Sequence, residues 1–426
     1  MNKILQGLPE RVSGEVFTQQ SHSVQVSFSN SQFENISNNK QQNTVLRVIK
    51  DGKMGTAASS KPGSEEELRA NALETVDYGN PISVAFAGPA SLTPIELVDE
   101  AVKQVDTRTM VEIAQDLVQA LLEYDRRILV NSRVGRSVQE VSLESSSGFE
   151  GRYEKTVWGC SLGGQLVQGD DMLWLGDFVR SCALETDYEA LKRAVIQQFE
   201  WAKNIVPFEA GTYPVIFAPE QIGFLVNPFL ASLNGKAIVR DISPWKELIG
   251  EELLDQRLTL IDDGTLPMRV SSLPFDREGT PTRRNVLIEQ GVVRQELLDL
   301  ETALALGKES TGNGSGTGPS AHHVLITPGV TPLAEMIRKI DRGLIIYDTM
   351  GAWTGNPYSG NVSGTVSMGL KVEKGEIVGR VKDCMFSVNA FAHFRDHLID
   401  ISQDTKSLGQ ANFPYIALDE VVIATK

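Results

Sequence analysis

The sequence predicts an α+β protein, with a mixed N-terminal domain in residues 1–205 followed by a β-rich C-terminal domain in residues 206–426. Three observations lead to this class. Apolar and polar residues alternate near the start, as in a half-buried strand, and apolar residues then recur at helical spacing through the first half. Beyond residue 206, short strand patterns separated by glycine turns dominate. A chain of 426 residues also exceeds what one hydrophobic core usually supports.

The first elements are predicted to be strands. Val24, Val26 and Phe28 alternate with polar residues, so that one face of the strand is apolar. The apolar run at residues 45–49 leads into Asp51 and Gly52, a pair suited to the positive φ angles of a tight hairpin turn. We therefore expect two antiparallel strands around this turn.

Helices are predicted next, from start signals and apolar spacing. The segment at residues 93–96 (TPIE) combines an N-cap residue, a proline at the first helical position and a capping-box acid. An amphipathic helix follows through residues 111–121. A second capping box at residues 186–189 (TDYE) predicts another helix, and we place the domain boundary just beyond it.

The second domain is predicted to be mostly sheet, with short strands at residues 286–288, 292–293, 377–378 and 417–424. The glycine-rich segment at residues 310–318 predicts a flexible loop. It lacks the lysine that a phosphate-binding loop requires, which argues against a nucleotide site.

Charge and composition narrow the class of function. A net charge of -15 disfavours direct nucleic-acid binding, which depends on clustered Lys and Arg. The amino terminus lacks the apolar core of a signal peptide, and no stretch stays apolar for the roughly 20 residues of a membrane span. We expect a cytoplasmic protein with no membrane contact. Cys160, Cys182 and Cys384 are far apart and predict buried thiols.

Two sequence patterns offer candidate reactive groups. His393 and His397 would share one face of a helix, with Asp396 or Asp400 as a further metal ligand, but no glutamate stands beside the first histidine as a general base, and we favour structural or surface roles. His322 and His323 are adjacent, so their side chains diverge.

The second pattern surrounds Ser161. Residues 159–163 (GCSLG) match the Gly-x-Ser-x-Gly pattern of a nucleophile elbow. The residues that follow alternate like a strand instead of opening a helix, so the pattern favours a glycine-containing β segment. We expect Ser161 to be structural.

Three stretches carry a family resemblance: residues 46–55 (LRVIKDGKMG), residues 213–279, which begin YPVIFAPE and end SSLPFDREG, and residues 297–314, which end STGNG. They resemble the TldD/PmbA family of metallopeptidase-complex proteins, and more specifically its PmbA (TldE) branch. An older description of the family is modulator of DNA gyrase. The acidic composition gives no support to direct DNA binding.

The resemblance implies where a zinc site would lie. In the family's TldD partner, zinc is held by the two histidines of His-Glu-x-x-x-His and by a later cysteine. The matched histidine positions are Pro219 and Phe224 here, the glutamate persists as Glu220, and the cysteine position falls near Thr405. Proline and phenylalanine offer no side-chain donor atom, so we expect no catalytic residue, no metal and no cofactor in this chain.

The resemblance also implies a function and partners. We expect a noncatalytic subunit of a zinc metallopeptidase complex that degrades or trims unfolded or flexible peptides, with a TldD-like catalytic subunit as the partner that holds zinc. The sequence does not decide whether the chain alone forms a homodimer, and it does not identify the peptide-binding residues. The alternative is an independent hydrolase that uses Ser161 or the His393 and His397 pair.

Overall fold

A computed structural model gives the fold of residues 3–169, 171–352 and 354–425, which are the residues it describes. The helices are, in chain order, α1 (Lys3–Gln6), α2 (Glu65–Thr75), α3 (Glu100–Gln104), α4 (Thr107–Tyr124), α5 (Tyr188–Ala202), α6 (Pro219–Ser232), α7 (Gly235–Val239), α8 (Leu300–Leu306), α9 (Leu333–Arg338) and α10 (Ala390–Asp396).

The strands are β1 (Ser13–Ser29), β2 (Gln32–Lys50), β3 (Lys53–Ser59), β4 (Leu129–Ser145), β5 (Glu150–Gln168), β6 (Asp171–Ser181), β7 (Gly211–Phe217), β8 (Leu260–Asp263), β9 (Arg284–Glu289), β10 (Val292–Val293), β11 (Val324–Ile326), β12 (Arg342–Met350), β13 (Asn361–Glu373), β14 (Glu376–Val381), β15 (Cys384–Asn389), β16 (Leu398–Ser407) and β17 (Ala411–Thr425). Strand residues outnumber helical residues, which confirms the predicted α+β class with a β-rich region.

The first sheet has the strand order β3-β2-β1-β4-β5-β6, and every neighbouring pair is antiparallel. The predicted alternation in β1 is confirmed, since Val24, Val26 and Phe28 are buried. The predicted turn is confirmed as well: Asp51 and Gly52 have φ values of 51° and 73° and join β2 to β3. Positive φ at both central residues matches the right-handed twist of the paired strands.

One predicted helix start is wrong. Residues 93–96 lie in an extended segment, and the next helix, α3, begins at Glu100 with Asp99 as its N-cap. The physical reason lies in β5, because the Thr156 backbone N–H donates to the Leu97 carbonyl at 3.0 Å. This contact holds the segment extended, and Leu97 is buried. Tertiary packing therefore overrides a local capping signal.

The two other predicted helices are present. The helix predicted through residues 111–121 is α4, and its buried residues Ala114, Leu117 and Leu121 fall at helical spacing. The helix predicted from residues 186–189 is α5, which begins at Tyr188. Its start is capped by Asp187, whose carboxylate accepts a hydrogen bond from the Ala190 backbone N–H at 2.9 Å.

In the described part of the chain, the second sheet follows the order β10-β9-β8-β11-β17-β15-β13-β12-β7, with β14 beside β13 and β16 beside β17. Strand β7 also pairs with β17, so that β7, β12, β13, β15 and β17 form a closed ring. Helix α6 comes directly after β7, and its residues Ile222, Leu225 and Phe229 join the core cluster of these strands. The start of α6 is thereby fixed against the ring.

The glycine-rich segment differs from the flexible loop that the sequence predicts. Thr311 and Asn313 are buried, and the Thr311 hydroxyl donates to Asn313 Oδ1 at 2.7 Å. The Gly314 backbone N–H donates to Asp276 Oδ2 at 2.7 Å. Residues 310–314 are therefore part of a hydrogen-bonded interior.

The chain divides into two compact units, each made of three stretches. The first contains residues 1–192, 264–283 and 298–320, and the second contains residues 193–263, 284–297 and 321–426. A compact unit is not an independently folding domain, so the predicted boundary between residues 205 and 206 stays a prediction. Among the residues that the structure describes, no helix is long and apolar enough to cross a membrane.

Candidate functional site

The first turn of α6 carries the residues that the family resemblance singles out. Ala218 follows β7 in an extended conformation as the N-cap residue of α6, and Pro219 occupies the first helical position, where its fixed φ is suited to a helix start. Glu220 follows in the first turn, where the helix dipole favours a negative charge. Phe224 lies four residues later, on the same face of the helix as Glu220.

Hydrogen bonds from Gln221 attach the start of α6 to β12. The Gln221 side-chain amide donates to the Tyr347 carbonyl at 2.9 Å, and its Oε1 accepts from the Thr349 hydroxyl at 2.7 Å. Gln221 and Thr349 are both buried. This bidentate contact fixes the position of the neighbouring Glu220.

The carboxylate of Glu220 is paired with a lysine. Lys406 Nζ lies 2.6 Å from Glu220 Oε1, and about a quarter to a third of each side chain is exposed. Lys406 follows Thr405 on β16, where it pairs with Phe413 of β17. The second carboxylate oxygen, Oε2, is buried without a hydrogen-bond partner among the described residues. The positive charge beside Glu220 is therefore an ammonium group.

The residues at the matched positions do not fit zinc. Pro219 has no donor atom and is buried, Phe224 presents an apolar ring, and Thr405 is an exposed residue on β16. Protein zinc sites use Cys, His, Asp or Glu side chains at about 2.0–2.3 Å. Within residues 3–169, 171–352 and 354–425, no group of three or more such side chains could hold a metal ion.

Neighbouring groups of β12 are pushed toward their neutral forms. Burial raises the pKa of Tyr347 well above its ordinary value, and the Glu220 negative charge adds to this shift. Burial also raises the pKa of Asp348, again with a contribution from Glu220. Both groups of β12 therefore lie in a buried environment that disfavours their charged forms, beside the ion pair of Glu220 and Lys406.

Lys406 is the residue of this candidate site that the sequence reasoning missed. A signal was available, because Lys406 directly follows Thr405 in the segment matched to the zinc ligand. Its contact with Glu220 joins residues 186 positions apart. Local patterns carry no information about such a pair.

Ser161 lies within β5, as the strand prediction requires. It pairs with Arg133 of β4 and Phe178 of β6, and the strand continues to Gln168 without a turn or a helix. A nucleophile elbow needs a sharp strand-to-helix turn that exposes the hydroxyl. Ser161 lies in the middle of a continuous strand and therefore does not have the geometry of a nucleophile elbow. The structural role of Ser161 stays a prediction.

His393 and His397 are brought together, with ring centroids 5.3 Å apart. His393 is in α10, and His397 follows its last residue. His393 Nδ1 lies 2.9 Å from its own helix's Asn389 carbonyl, and His397 Nε2 lies 3.7 Å from a Glu420 carboxylate oxygen. The two histidines therefore have local contacts at the end of a short helix.

The carboxylates proposed as further ligands are paired with other groups. Asp396 forms an ion pair with Arg395 at 2.8 Å, and Asp400 lies 3.6 Å from Lys339. His322 and His323 each donate a backbone N–H to Asp262 Oδ1, at 2.7 and 3.0 Å. These contacts do not assemble the metal site considered from the sequence.

Comparisons with known proteins agree with this fold. The family model described as PmbA/TldA metallopeptidase C-terminal domain matches residues 210–425, and the model described as PmbA/TldA metallopeptidase domain 1 matches residues 14–77. Metalloprotease PmbA of Escherichia coli O157:H7 is 25% identical over 440 residues, which cover 96% of this chain and 92% of that protein. A metalloprotease TldD homolog of Buchnera aphidicola is 28% identical over 181 residues, which cover 41% of this chain and 37% of that protein.

The crystal structure of TldE from Thermococcus kodakarensis matches with a TM-score of 0.89 and 26% identity, covering 97% of this chain and 96% of that one. Fold and matched domains together define a metallopeptidase-like protein, which fits a function related to proteolysis. The chain belongs to the PmbA/TldD family.

Proposed function

We propose that this chain is a PmbA/TldE-like noncatalytic subunit of a zinc metallopeptidase complex. The single observation that carries the proposal is the ion pair of Glu220 with Lys406 at 2.6 Å, in a site whose matched ligand positions are Pro219, Phe224 and Thr405. The glutamate of the family motif is retained, but its neighbouring cation is an amino-acid side chain. A TldD-like partner then supplies zinc and the catalytic residues.

The Lys406 ammonium opposes metal catalysis at this position for two reasons. A divalent cation near Glu220 would be repelled by the ammonium, and removing that repulsion would require breaking a short charge-assisted hydrogen bond. A glutamate that serves as general base must also reach the water from which it takes a proton. Glu220 Oε1 is engaged by Lys406 instead.

The proposed substrate is an unfolded or flexible peptide, and the proposed location is the cytoplasm. Family membership supports a peptide substrate, because related proteins are named as metalloproteases. The net charge of -15 supports a protein or peptide partner over nucleic acid. In this role the chain completes the chamber around the peptide and contributes binding surface, while hydrolysis takes place in the partner.

The decisive experiment separates the two chains. An unfolded peptide is incubated with this chain alone, with a TldD-like chain alone, with both, and with both when this chain carries Glu220→Ala. We expect chelator-sensitive cleavage only in the two mixtures that contain both chains, and we expect it to survive Glu220→Ala. Robust chelator-sensitive cleavage by this chain alone would overturn the proposal.

Zinc content distinguishes the alternative. Elemental analysis of the purified chain is expected to find well below one zinc per chain. About one tightly held zinc, lost in His393→Ala or His397→Ala, would favour the independent hydrolase. Loss of an intrinsic esterase or peptidase activity in folded Ser161→Ala would favour Ser161 as its nucleophile.

A further inference from the structure

A groove of about 670 Å³ lies within the first compact unit, between an irregular segment of the chain and helix α8. One wall is formed by residues 83–85, which lie outside any helix or strand, and the other by Leu300, Ala303 and Leu304 of α8. Further lining comes from residues 280–283 and 308–310. We call this feature the strap groove. Its volume lies within the range of about 300–1,000 Å³ that is typical of ligand sites.

The wall at residues 83–85 is fixed at both ends. Before it, the Ile82 backbone N–H donates to the Gly52 carbonyl at 2.8 Å. After it, the Ala87 carbonyl accepts a hydrogen bond from the Ser145 hydroxyl at 2.6 Å. Within the described part of the chain, the backbone groups of residues 83–85 themselves make no hydrogen bond. This wall therefore carries amide donors and acceptors that are available to a ligand.

Helix α8 forms an apolar wall on a rigid support. Ala303 is buried, whereas the neighbouring Leu304 is 53% exposed. The helix is fixed at its start, because Asp299 closes a capping box and the Leu300 backbone N–H donates to Glu278 Oε2 at 2.9 Å. A ligand that covers Leu304 is stabilised by about 25 cal/mol for each Å² of apolar surface it buries. The groove therefore favours a ligand with an apolar group.

Arg283 supplies a positive charge to the lining. Its guanidinium donates a hydrogen bond to the Ser310 carbonyl, which holds the side chain beside the groove. No carboxylate among the described residues forms an ion pair with Arg283, in a chain whose net charge is -15. Lys308 and Glu309 also line the groove, and because their charges are opposite, Arg283 leaves the lining net positive. A guanidinium presents its N–H donors in a fork that matches a carboxylate.

The three features together select one class of ligand. The last residue of a peptide carries a carboxylate, a side chain and an amide group at once. An internal aspartate or glutamate would direct its side chain to Arg283 and would have no apolar group left for Leu304. A fatty acid has a carboxylate and an apolar chain, but it lacks amide groups for the backbone of residues 83–85.

We propose that the strap groove binds the carboxyl-terminal end of a peptide. The terminal carboxylate contacts Arg283, the terminal apolar side chain packs on Leu304, and the last amide groups bond to the backbone of residues 83–85. Peptide hydrolysis creates such ends, because each cut releases one new carboxylate and one new ammonium group. The inference rests on the proposed function only for the class of ligand, since Glu220 and Lys406 belong to the second compact unit.

The first test uses the unchanged full-length chain alone, without a TldD-like chain. Fluorescence anisotropy follows binding of the peptide Ser-Gly-Ala-Leu, labelled with fluorescein at its amino end. We expect saturable binding, and we expect the carboxamide form of the same peptide to bind at least about tenfold more weakly, since it loses a charge-assisted contact. The carboxamide of Ser-Asp-Ala-Leu, whose carboxylate is in a side chain, should bind equally weakly.

Three results of this comparison would overturn the proposal. The first is equal binding of the free acid and its carboxamide. The second is binding restored by the internal aspartate, which would identify an acidic side chain as the ligand group. The third is no saturation of the free-acid peptide up to about 1 mM of the chain.

The second test assigns the contacts with variants. Arg283→Gln should weaken binding of the free acid at least about tenfold and leave the carboxamide unchanged, because only the acid contacts the guanidinium. Arg284→Gln is the matched control, since this neighbouring arginine lies 4.0 Å from Asp263 and does not line the groove. Equal losses in the two arginine variants would contradict the assignment.

The apolar contact has its own pair of variants. Leu304→Asn should weaken the free acid and the carboxamide by a similar factor, because both carry the terminal leucine side chain. Ala305→Asn, an exposed change in the same helix that does not line the groove, should weaken neither. A free acid that binds Leu304→Asn as tightly as the unchanged chain would contradict the apolar contact.

Failure of this inference is distinguishable from failure of the proposed function. If cleavage requires both chains but the free acid binds this chain no better than the carboxamide, only the strap groove assignment is wrong. If this chain alone cleaves peptides yet prefers the free acid, only the noncatalytic role is wrong.

Discussion

Glu220 and Lys406 form a coupled pair whose contribution to stability can be measured. Their ion pair at 2.6 Å is partly exposed, so we expect a coupling free energy of about 0.5–1 kcal/mol. A double-mutant cycle of Glu220→Gln and Lys406→Met in urea unfolding isolates it. The losses of stability of the two single variants, added together, should exceed the loss of the double variant by this coupling free energy. Additive effects would contradict the coupling.

The carboxyl group of Asp276 makes stability depend on pH. Burial raises its pKa from 3.8 to about 7, although backbone N–H groups of Glu278, Gly314 and Thr280 favour the charged form. Because the folded pKa lies above the unfolded value, the folded state binds this proton more tightly. The contribution to the unfolding free energy is therefore fully present below about pH 4 and is lost as pH rises through 7.

Asp276→Asn tests this assignment. The variant loses an acceptor for the Gly314 N–H, which costs stability at every pH. The diagnostic quantity is the slope: between pH 4 and 7, the unfolding free energy of the variant should fall less steeply with pH than that of the natural chain. Parallel curves in urea unfolding over this range would show that Asp276 does not titrate there.

The three cysteine thiols should be unreactive in the folded protein. Burial raises the pKa of Cys160 to about 12 and of Cys182 to about 11, and also raises the pKa of Cys384. Thiolate is the reactive form, so little is present at pH 8. A thiol-specific chromogenic reagent should label none of them quickly in buffer and all of them in denaturant. Rapid labelling of one thiol in buffer would contradict the burial.

At the scale of an element, the start of α8 offers a clear test of a cap. The buried Asp299 carboxylate accepts from the Thr302 backbone N–H at 2.8 Å, and the Thr302 hydroxyl completes a capping box. We expect Asp299→Ala to lower the unfolding free energy by about 1–2 kcal/mol. Glu301→Ala, an exposed change in the same helix, is the control and should have little effect. Equal effects of the two changes in urea unfolding would contradict the cap.

Elements with strong local signals were predictable, and those decided by tertiary contacts were not. The turn at Asp51 and Gly52 follows from backbone conformation, and α4 from its apolar spacing. The predicted helix at residues 93–96 failed because β5 holds that segment extended. The same limit applies to the site: Glu220 could be located from a motif, whereas its ion pair with Lys406 depends on how β16 lies beside α6.

At the scale of the whole molecule, the first compact unit depends on residues that come late in the chain. Lys155 Nζ donates to the Val270 carbonyl at 2.9 Å and to that of Ser272 at 2.5 Å. The Phe149 and Phe275 rings pack with centroids 5.3 Å apart. All these partners lie in residues 264–283.

A fragment of residues 1–205 therefore lacks partners for a buried lysine and for an aromatic cluster. We expect this fragment to bind a dye specific for exposed apolar surface and to unfold with a smaller dependence on urea concentration than its length predicts. The full-length chain serves as the reference. A fragment that unfolds cooperatively without binding the dye would show that residues 1–205 form a self-sufficient domain.

The discontinuous first unit has a consequence for biosynthesis. A ribosome synthesising this chain releases residues 1–192 long before residues 298–320 emerge. At about 5–20 residues per second, the wait lasts several seconds, longer than many small domains need to fold. For most of that interval Phe149 lacks its partner Phe275, which comes later in the chain. Nascent chains should therefore recruit chaperones that shield apolar surface, and their demand for them should end only when about three quarters of the protein has been translated.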